Sequence, residues 1–291
     1  MTDPFANMQD IGINSLALAG PLTDKLRAFQ SAGFQQILLA ASDLMTHPEG
    51  LDVALTLVRS SGLRVMGLQA LNDFEGLSGA AHSYKVDVAK SMLGLCQRLD
   101  CHLLLVNAST LEQATSDTDA LCVNLRQLAM LAIPMDIRIA YKASPNGRAI
   151  SNYGQAWDLL CQADMPNLGL CLDAMDALTW HGPHDDLEML DCEKVFLTQL
   201  TDVMGGTEPG QCVFPGEGDN SPALAQCVTT LHNIGYRGNY CLGAFNHDNT
   251  QLPPVDVAQR ARRSALWLGQ DVLQRSVPLP NQIRLKRRQI A

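Results

Sequence analysis

Long apolar runs are missing from this chain: no stretch of about eighteen apolar residues exists that would span a bilayer. The opening "MTDPFANMQD" has neither the basic nor the apolar region of a signal peptide, so a cytoplasmic protein is expected. Positive charge is also in short supply, with 21 Lys and Arg against 30 Asp and Glu and a net charge of −9. That balance excludes a general nucleic-acid binder, whose affinity comes from cations neutralising phosphates, and neither nucleic acid nor membrane is an expected partner. The nine cysteines are odd in number and form no C-x-x-C pair, which excludes a disulfide framework and a zinc ribbon and leaves them as small buried hydrophobes. Aromatics are scarce at 5%, while 46% hydrophobic residues suffice for a large core.

What is present is an alternation. Short apolar runs, "IGINSLAL", "QQILLA", "LRVMGLQ", "HLLLVN", "IRIAYKA", "LGLCLDA", "VFLTQLTD" and "NYCLGAF", are separated by longer amphipathic segments such as "YKVDVAKSMLGLCQRLD" and "DVAQRARRSALWLGQDVL". Parallel neighbours in a sheet need a crossover helix, so this order predicts a parallel α/β fold. Eight strand-then-helix units over residues 1–275 fit one (β/α)₈ barrel, for which about 250 residues is usual. The alternative is an open doubly wound sheet; no G-x-G-x-x-G follows its first strand, which removes the dinucleotide-binding version. Residues 276–291 turn Pro-containing and then basic, "IRLKRR", and are expected to form a tail outside the barrel, solvated or touching an acidic partner.

In such a barrel the loops after the strands carry function, so the polar residues ending each run are the candidates. They are Asn72 with Asp73 and Glu75, Asn107, Lys142, Asp173 with Asp176, Gln199 with Asp202, and Asn246 with His247. A helix cap or a solvated loop is the ordinary role of any one of them. His181 and His184 in "WHGPHDD" read first as surface-loop residues, and in "FPGEGD" the glycines matter for backbone approach as much as Glu217 and Asp219 do.

Several segments carry a resemblance: "LALAGPLTDKLRAFQSAGF" (16–34), "DFEGL" (73–77), "NLGLCLDAMDAL" (167–178), "FLTQLTD" (196–202), "FPGEGD" (214–219) and "ARRSALWL" (261–268). Together they resemble the xylose-isomerase-like barrels and, within them, the 3-dehydroshikimate dehydratases. The resemblance implies a divalent metal (Mn, Mg, Co or Zn) held at strand ends by two glutamates, an aspartate and a glutamine. Asp173 and Gln199 match the last two. The first glutamate falls on Lys142 and the second on Gly243 in "CLGAFN". The family's histidine three residues after the metal aspartate is Asp176 here, the arginine of its "R-D-F-E-G" motif is Asn72, and a glutamate of its second strand is Leu38. The loop before "FPG", where the family carries His and Arg, reads "GTEPGQCV".

One carboxylate and one amide are too few to dehydrate a hard divalent ion, and an ammonium beside them repels it. Lys142 is therefore read as a counter-charge for Asp173, with Asp176 nearby. The favoured expectation is a dehydratase-like barrel that needs no cofactor, has lost metal-dependent catalysis, and binds a small polyol or carboxylate or regulates a partner. A second is an active lyase or isomerase that uses Lys142 as Schiff-base nucleophile or electrophile. A third is a metal-dependent 3-dehydroshikimate dehydratase with rearranged ligands. Asn72, Glu75, Glu217 and Asn246 are placed with the residual site.

Overall fold

A computed structural model describes residues 8–179, 187–205 and 211–275 of the chain. Ten strands follow in order: β1 (Ile11–Asn14), β2 (Gln36–Ala40), β3 (Arg64–Asn72), β4 (Leu103–Asn107), β5 (Arg138–Lys142), β6 (Leu168–Asp173), β7 (Val195–Leu200), β8 (Asp202–Val203), β9 (Cys212–Val213) and β10 (Asn239–Leu242). All but β8 and β9 close into one barrel in the order β1-β10-β7-β6-β5-β4-β3-β2, every pairing parallel. The open-sheet alternative is thereby removed. Helices such as Leu22–Ser31, Gly79–Arg98, Thr118–Ala132 and Pro254–Leu266 lie between the strands in sequence and cover the barrel's outside.

Side chains alternate across each strand, and that period of two sorts the core into two layers. Ile139 and Tyr141 of β5, Leu170 and Leu172 of β6, and Ile37 and Leu39 of β2 pack outward under the helices. Ala140, Cys171, Leu197, Cys241 and Leu38 pack inward with Met66, Leu103 and Leu105. The residue two positions further along four of these strands, Lys142, Asp173, Gln199 and Gly243, therefore stands above an apolar plug at the carboxyl mouth. Leu38, where the resembled family has an acid, is fully buried in that plug.

The strand boundaries expected from apolar runs change at four ends: β3 continues past Gln69 to Asn72, β10 stops at Leu242 short of Phe245, and β1 and β7 both stop early. The first run continues to Leu18, but β1 stops at Asn14 because the Asn14 side chain accepts from Leu16 N and caps the 3₁₀ turn Ser15–Ala17. The seventh run reaches Asp202, yet β7 stops at Leu200. Asp202 and Val203 instead pair antiparallel with Val213 and Cys212, a short hairpin over the mouth. Residues 276–291, and with them the expected tail, lie outside the described residues, as do His181 and His184.

Candidate ligand pocket at the barrel mouth

The register brings the mouth residues together. Asp173 is paired with Gln199 across β6 and β7, and Gln199 with Cys241 across β7 and β10. From β5, Lys142 Nζ reaches Asp173 Oδ2 at 2.6 Å and donates to Gln199 Oε1 at 2.6 Å. Lys142, Asp173, Asp176, Gln199 and Gly243 all line one cleft of about 350 Å³, closed on its other sides by Asn14, Thr201 and the apolar Met175, Val203 and Phe245.

Electrostatics fix the state of the central pair. Burial pushes the Lys142 ammonium toward neutrality, but Asp173 beside it and Asp176 further off outweigh that and hold its pKa above the ordinary value. Lys142 is thus a cation at any physiological pH. Asp176 behaves oppositely: burial first, and the Asp173 charge second, raise it to about 6 despite a backbone hydrogen bond from Tyr153. Cys171, directly below, is pushed up to about 12 by burial, and Cys241 is held well above its usual value for the same reason, so neither thiol is a nucleophile.

The remaining strand-end candidates are used elsewhere. Glu75 is 2% exposed and points under its loop, where Oε1 accepts from Ser109 N at 2.5 Å and from Tyr141 Oη at 2.9 Å. Asn72 accepts from Asn107 and lines a separate cleft against the helix Gly79–Arg98. Glu217 pairs with Arg260 through both oxygens, at 3.0 and 2.6 Å. Asn246 caps the short helix His247–Gln251 and donates to Cys212 O. None of the four lines the Lys142 cleft. Asp202 is fully buried and accepts from Val203 N, Gly218 N, Asn220 N and Ser221 Oγ, which folds "FPGEGD" back on β8. A Cβ on Gly218 would fall 2.3 Å from Val203 O, so that close approach requires glycine.

Asn14, Thr201 and Phe245 were not singled out in the sequence. Asn14 ends β1, so the strand-end rule points to it; its side chain is paired with Gln69. Thr201 and Phe245 follow the ends of β7 and β10 and carried no charge to draw notice.

The residues do not fit the divalent metal that the resemblance implies. The two family oxygens that remain, on Asp173 and Gln199, are both turned onto the Lys142 ammonium. Gly243 offers no donor, and a Cβ there would meet the Phe245 ring at 2.9 Å. Among the described residues no group of three or more His, Cys, Asp or Glu side chains is arranged to hold an ion.

A closed parallel barrel with its polar groups gathered at the carboxyl mouth defines a (β/α)₈ protein of the kind that binds or transforms small molecules there. The chain belongs to the xylose isomerase-like TIM barrel family, whose model matches residues 26–270. It is 32% identical over 278 residues to a 3-dehydroshikimate dehydratase of Pseudomonas aeruginosa, covering 91% of this chain and 43% of that one. An inosose isomerase of Halalkalibacterium halodurans is 24% identical over 70% of this chain and 74% of its own length. A solved xylose isomerase-like TIM barrel/4-hydroxyphenylpyruvate dioxygenase fusion protein superposes with a TM-score of 0.83 at 27% identity, over 96% of this chain and 44% of the fusion. The chain thus spans under half the length of the bacterial dehydratases it matches. No helix among the described residues is long and apolar enough to cross a membrane.

Proposed function

We propose that this barrel binds a small hydroxylated or carboxylated molecule at its mouth without a divalent metal, and that metal-dependent chemistry has been lost from it. The observation that carries this reading is the Lys142 ammonium held at 2.6 Å from both Asp173 and Gln199, the two oxygens that would otherwise face a metal. A fixed cation there supplies charge but no open coordination sites, so it can orient a ligand oxygen without the Lewis acidity that loss of water demands. The molecules that the relatives' names give, 3-dehydroshikimate and inosose, are hydroxylated cyclic ketones, the first bearing a carboxylate and the second uncharged, of a size this cleft admits. The raised Lys142 pKa disfavours the Schiff-base route, which needs a neutral amine.

Elemental analysis and thermal melts with manganese test the reading. The purified protein is expected to carry no stoichiometric divalent ion and to gain no stability from manganese, because only binding to the native state raises apparent stability. The Lys142→Glu, Gly243→Glu double variant is expected to gain several degrees. The Phe245 ring has to swing aside for the second glutamate, and at 40% exposure it has room. One metal per chain in the unaltered protein, or chelator-resistant turnover of 3-dehydroshikimate that vanishes in Lys142→Met, would overturn it.

A further inference from the structure

Resting on the reading of this mouth as a ligand pocket, the charges within it can be counted. Lys142 is its one cation among the described lining residues, and it is already committed to Asp173 and Gln199. Asp176 stands on the same wall as a second carboxylate, and no Lys, Arg or His among the described residues forms an ion pair with it. No arginine or histidine lines the cleft among the described residues. Its other walls are Met175, Val203 and the half-exposed Phe245 ring, which keep the local dielectric low and offer an apolar face to ring carbons.

We propose that Asp176 is a specificity-determining residue that bars carboxylates, so that the pocket takes uncharged hydroxylated rings in preference to the same rings bearing an acid. A ligand carboxylate entering the cleft meets the like charge on Asp176 and, among the described lining residues, finds no cation but Lys142, which is already paired with Asp173, whereas hydroxyl groups can donate to Asp176 and exchange hydrogen bonds with Asn14, Thr201 and Gln199. The groups facing Asp176 do not relieve this. Asp173 on β6 adds negative charge, Tyr153 contributes only a backbone hydrogen bond, and Lys142 on β5, paired with Asp173, offsets the Asp176 charge least of all. The thiols of Cys212 and Cys241 that line the cleft, held above their ordinary values by burial, stay uncharged. Burial and Asp173 raise Asp176 no further than about 6, so it is ionised above neutrality.

The test uses one ring with and without its charge: shikimate and its methyl ester, titrated against the unaltered protein at about pH 8 by ligand-observed NMR and calorimetry. The ester is expected to bind at least about tenfold more tightly than the acid. In Asp176→Asn, which keeps the shape of the side chain, the acid is expected to gain at least about fivefold while the ester changes little. Equal binding of acid and ester by the unaltered protein, or tighter binding of the acid, would overturn the specificity role and leave the ligand pocket standing. Failure of both compounds to bind either protein at millimolar concentration would overturn the pocket reading and this role with it. The comparison in the unaltered protein decides the matter even if Asp176→Asn does not fold.

Discussion

Asp173 and Glu75 are both acids set at the carboxyl ends of barrel strands and withdrawn from water, and the protein accommodates them in different ways. Asp173 faces into the mouth, keeps about a fifth of its side chain exposed, and is met by an ammonium. Glu75 turns outward beneath the loop after β3, is 2% exposed, and is met only by neutral donors, Ser109 N and Tyr141 Oη, both on one oxygen. Its other oxygen has no hydrogen-bond partner among the described residues. The difference separates two uses of a buried carboxylate. Where donors are neutral and fixed, the acid ties loops together: Glu75 and its neighbour Asp73, which accepts from Thr110 N at 2.9 Å, join the loop after β3 to the loop after β4. Where a full counter-charge is supplied at the mouth, the acid keeps a charge-bearing site preformed above an apolar plug.

The comparison can be broken most severely at Glu75. Glu75→Ala strands a fully buried Tyr141 hydroxyl and the Ser109 amide, and a loss of about 4 kcal/mol is expected in urea unfolding, two buried donors at about 1–3 kcal/mol each. Glu75→Gln keeps an acceptor in place and should cost about 1 kcal/mol. Burial, the leading cause, raises the Glu75 pKa in the folded protein. The folded state then holds its proton more tightly than the unfolded chain, so this contribution is complete below the unfolded pKa and is lost as pH rises through the folded value. Glu75→Gln should flatten that decline; a slope unchanged by the substitution would show that Glu75 titrates as in the unfolded chain.

At the mouth the expected effect is smaller, because both partners keep about a fifth of their side chains in solvent. Lys142→Met leaves Asp173 without its cation and should cost about 2 kcal/mol, below the 3–5 kcal/mol of a fully buried pair. Lys142→Glu should cost more, since it sets a second anion beside Asp173. The folded Lys142 pKa is raised, so the stability it brings is complete below its unfolded pKa and is lost only in strongly alkaline solution. Between about pH 7 and 9 the penalty of Lys142→Met should therefore be flat. A penalty that grows as pH rises from neutrality towards about 9 would show the lysine to be partly neutral in the folded protein.

Why one acid was legible in the sequence and the other was not follows from strand geometry. The apolar runs announce eight barrel strands because each is buried on both faces, and the residue two beyond an inward-facing apolar position must look into the mouth. That places Lys142, Asp173, Gln199 and Gly243 correctly from pattern and resemblance. Beyond the last strand residue the alternation ends and the chain turns freely, so Glu75, Glu217 and Asn246 carried no periodic signal of their direction, and Asn72, the last residue of β3, follows a register shift between Leu68 and Leu71. Hydrogen bonds to Ser109, Asn107, Arg260 and Cys212, all distant in sequence, decide where they point. The hairpin of β8 and β9 was illegible for a related reason, since two-residue strands have no period. Asn14 was overlooked although it obeys the rule, because its run continued apolar past the cap.

The smallest expected effect sharpens the comparison most, because Asp176 belongs to neither arrangement. It is half-buried like Asp173, but among the described residues it has no cation of its own and only one backbone donor, at Tyr153. Its pKa of about 6 in the folded protein, set by burial and then by Asp173, lies above the value of about 4 for an unfolded aspartate. The folded state again holds the proton more tightly, so the contribution of Asp176 is greatest below about pH 4, declines as pH rises to about 6, and is constant above. The nominal shift corresponds to about 3 kcal/mol; with solvent screening of a group this exposed, about 1 kcal/mol is expected. Asp176→Asn removes the titration, so the variant should exceed the unaltered protein by about 1 kcal/mol at pH 8 and lose that advantage at pH 4. Subtracting the two pH profiles cancels the decline due to Glu75, which both proteins share. A difference curve flat across that window would mean that Asp176 ionises as freely as in water. A curve that steps near pH 6 would confirm an acid held at a cost in stability beside the Lys142 pair, where a loop-tying role would have provided it with donors.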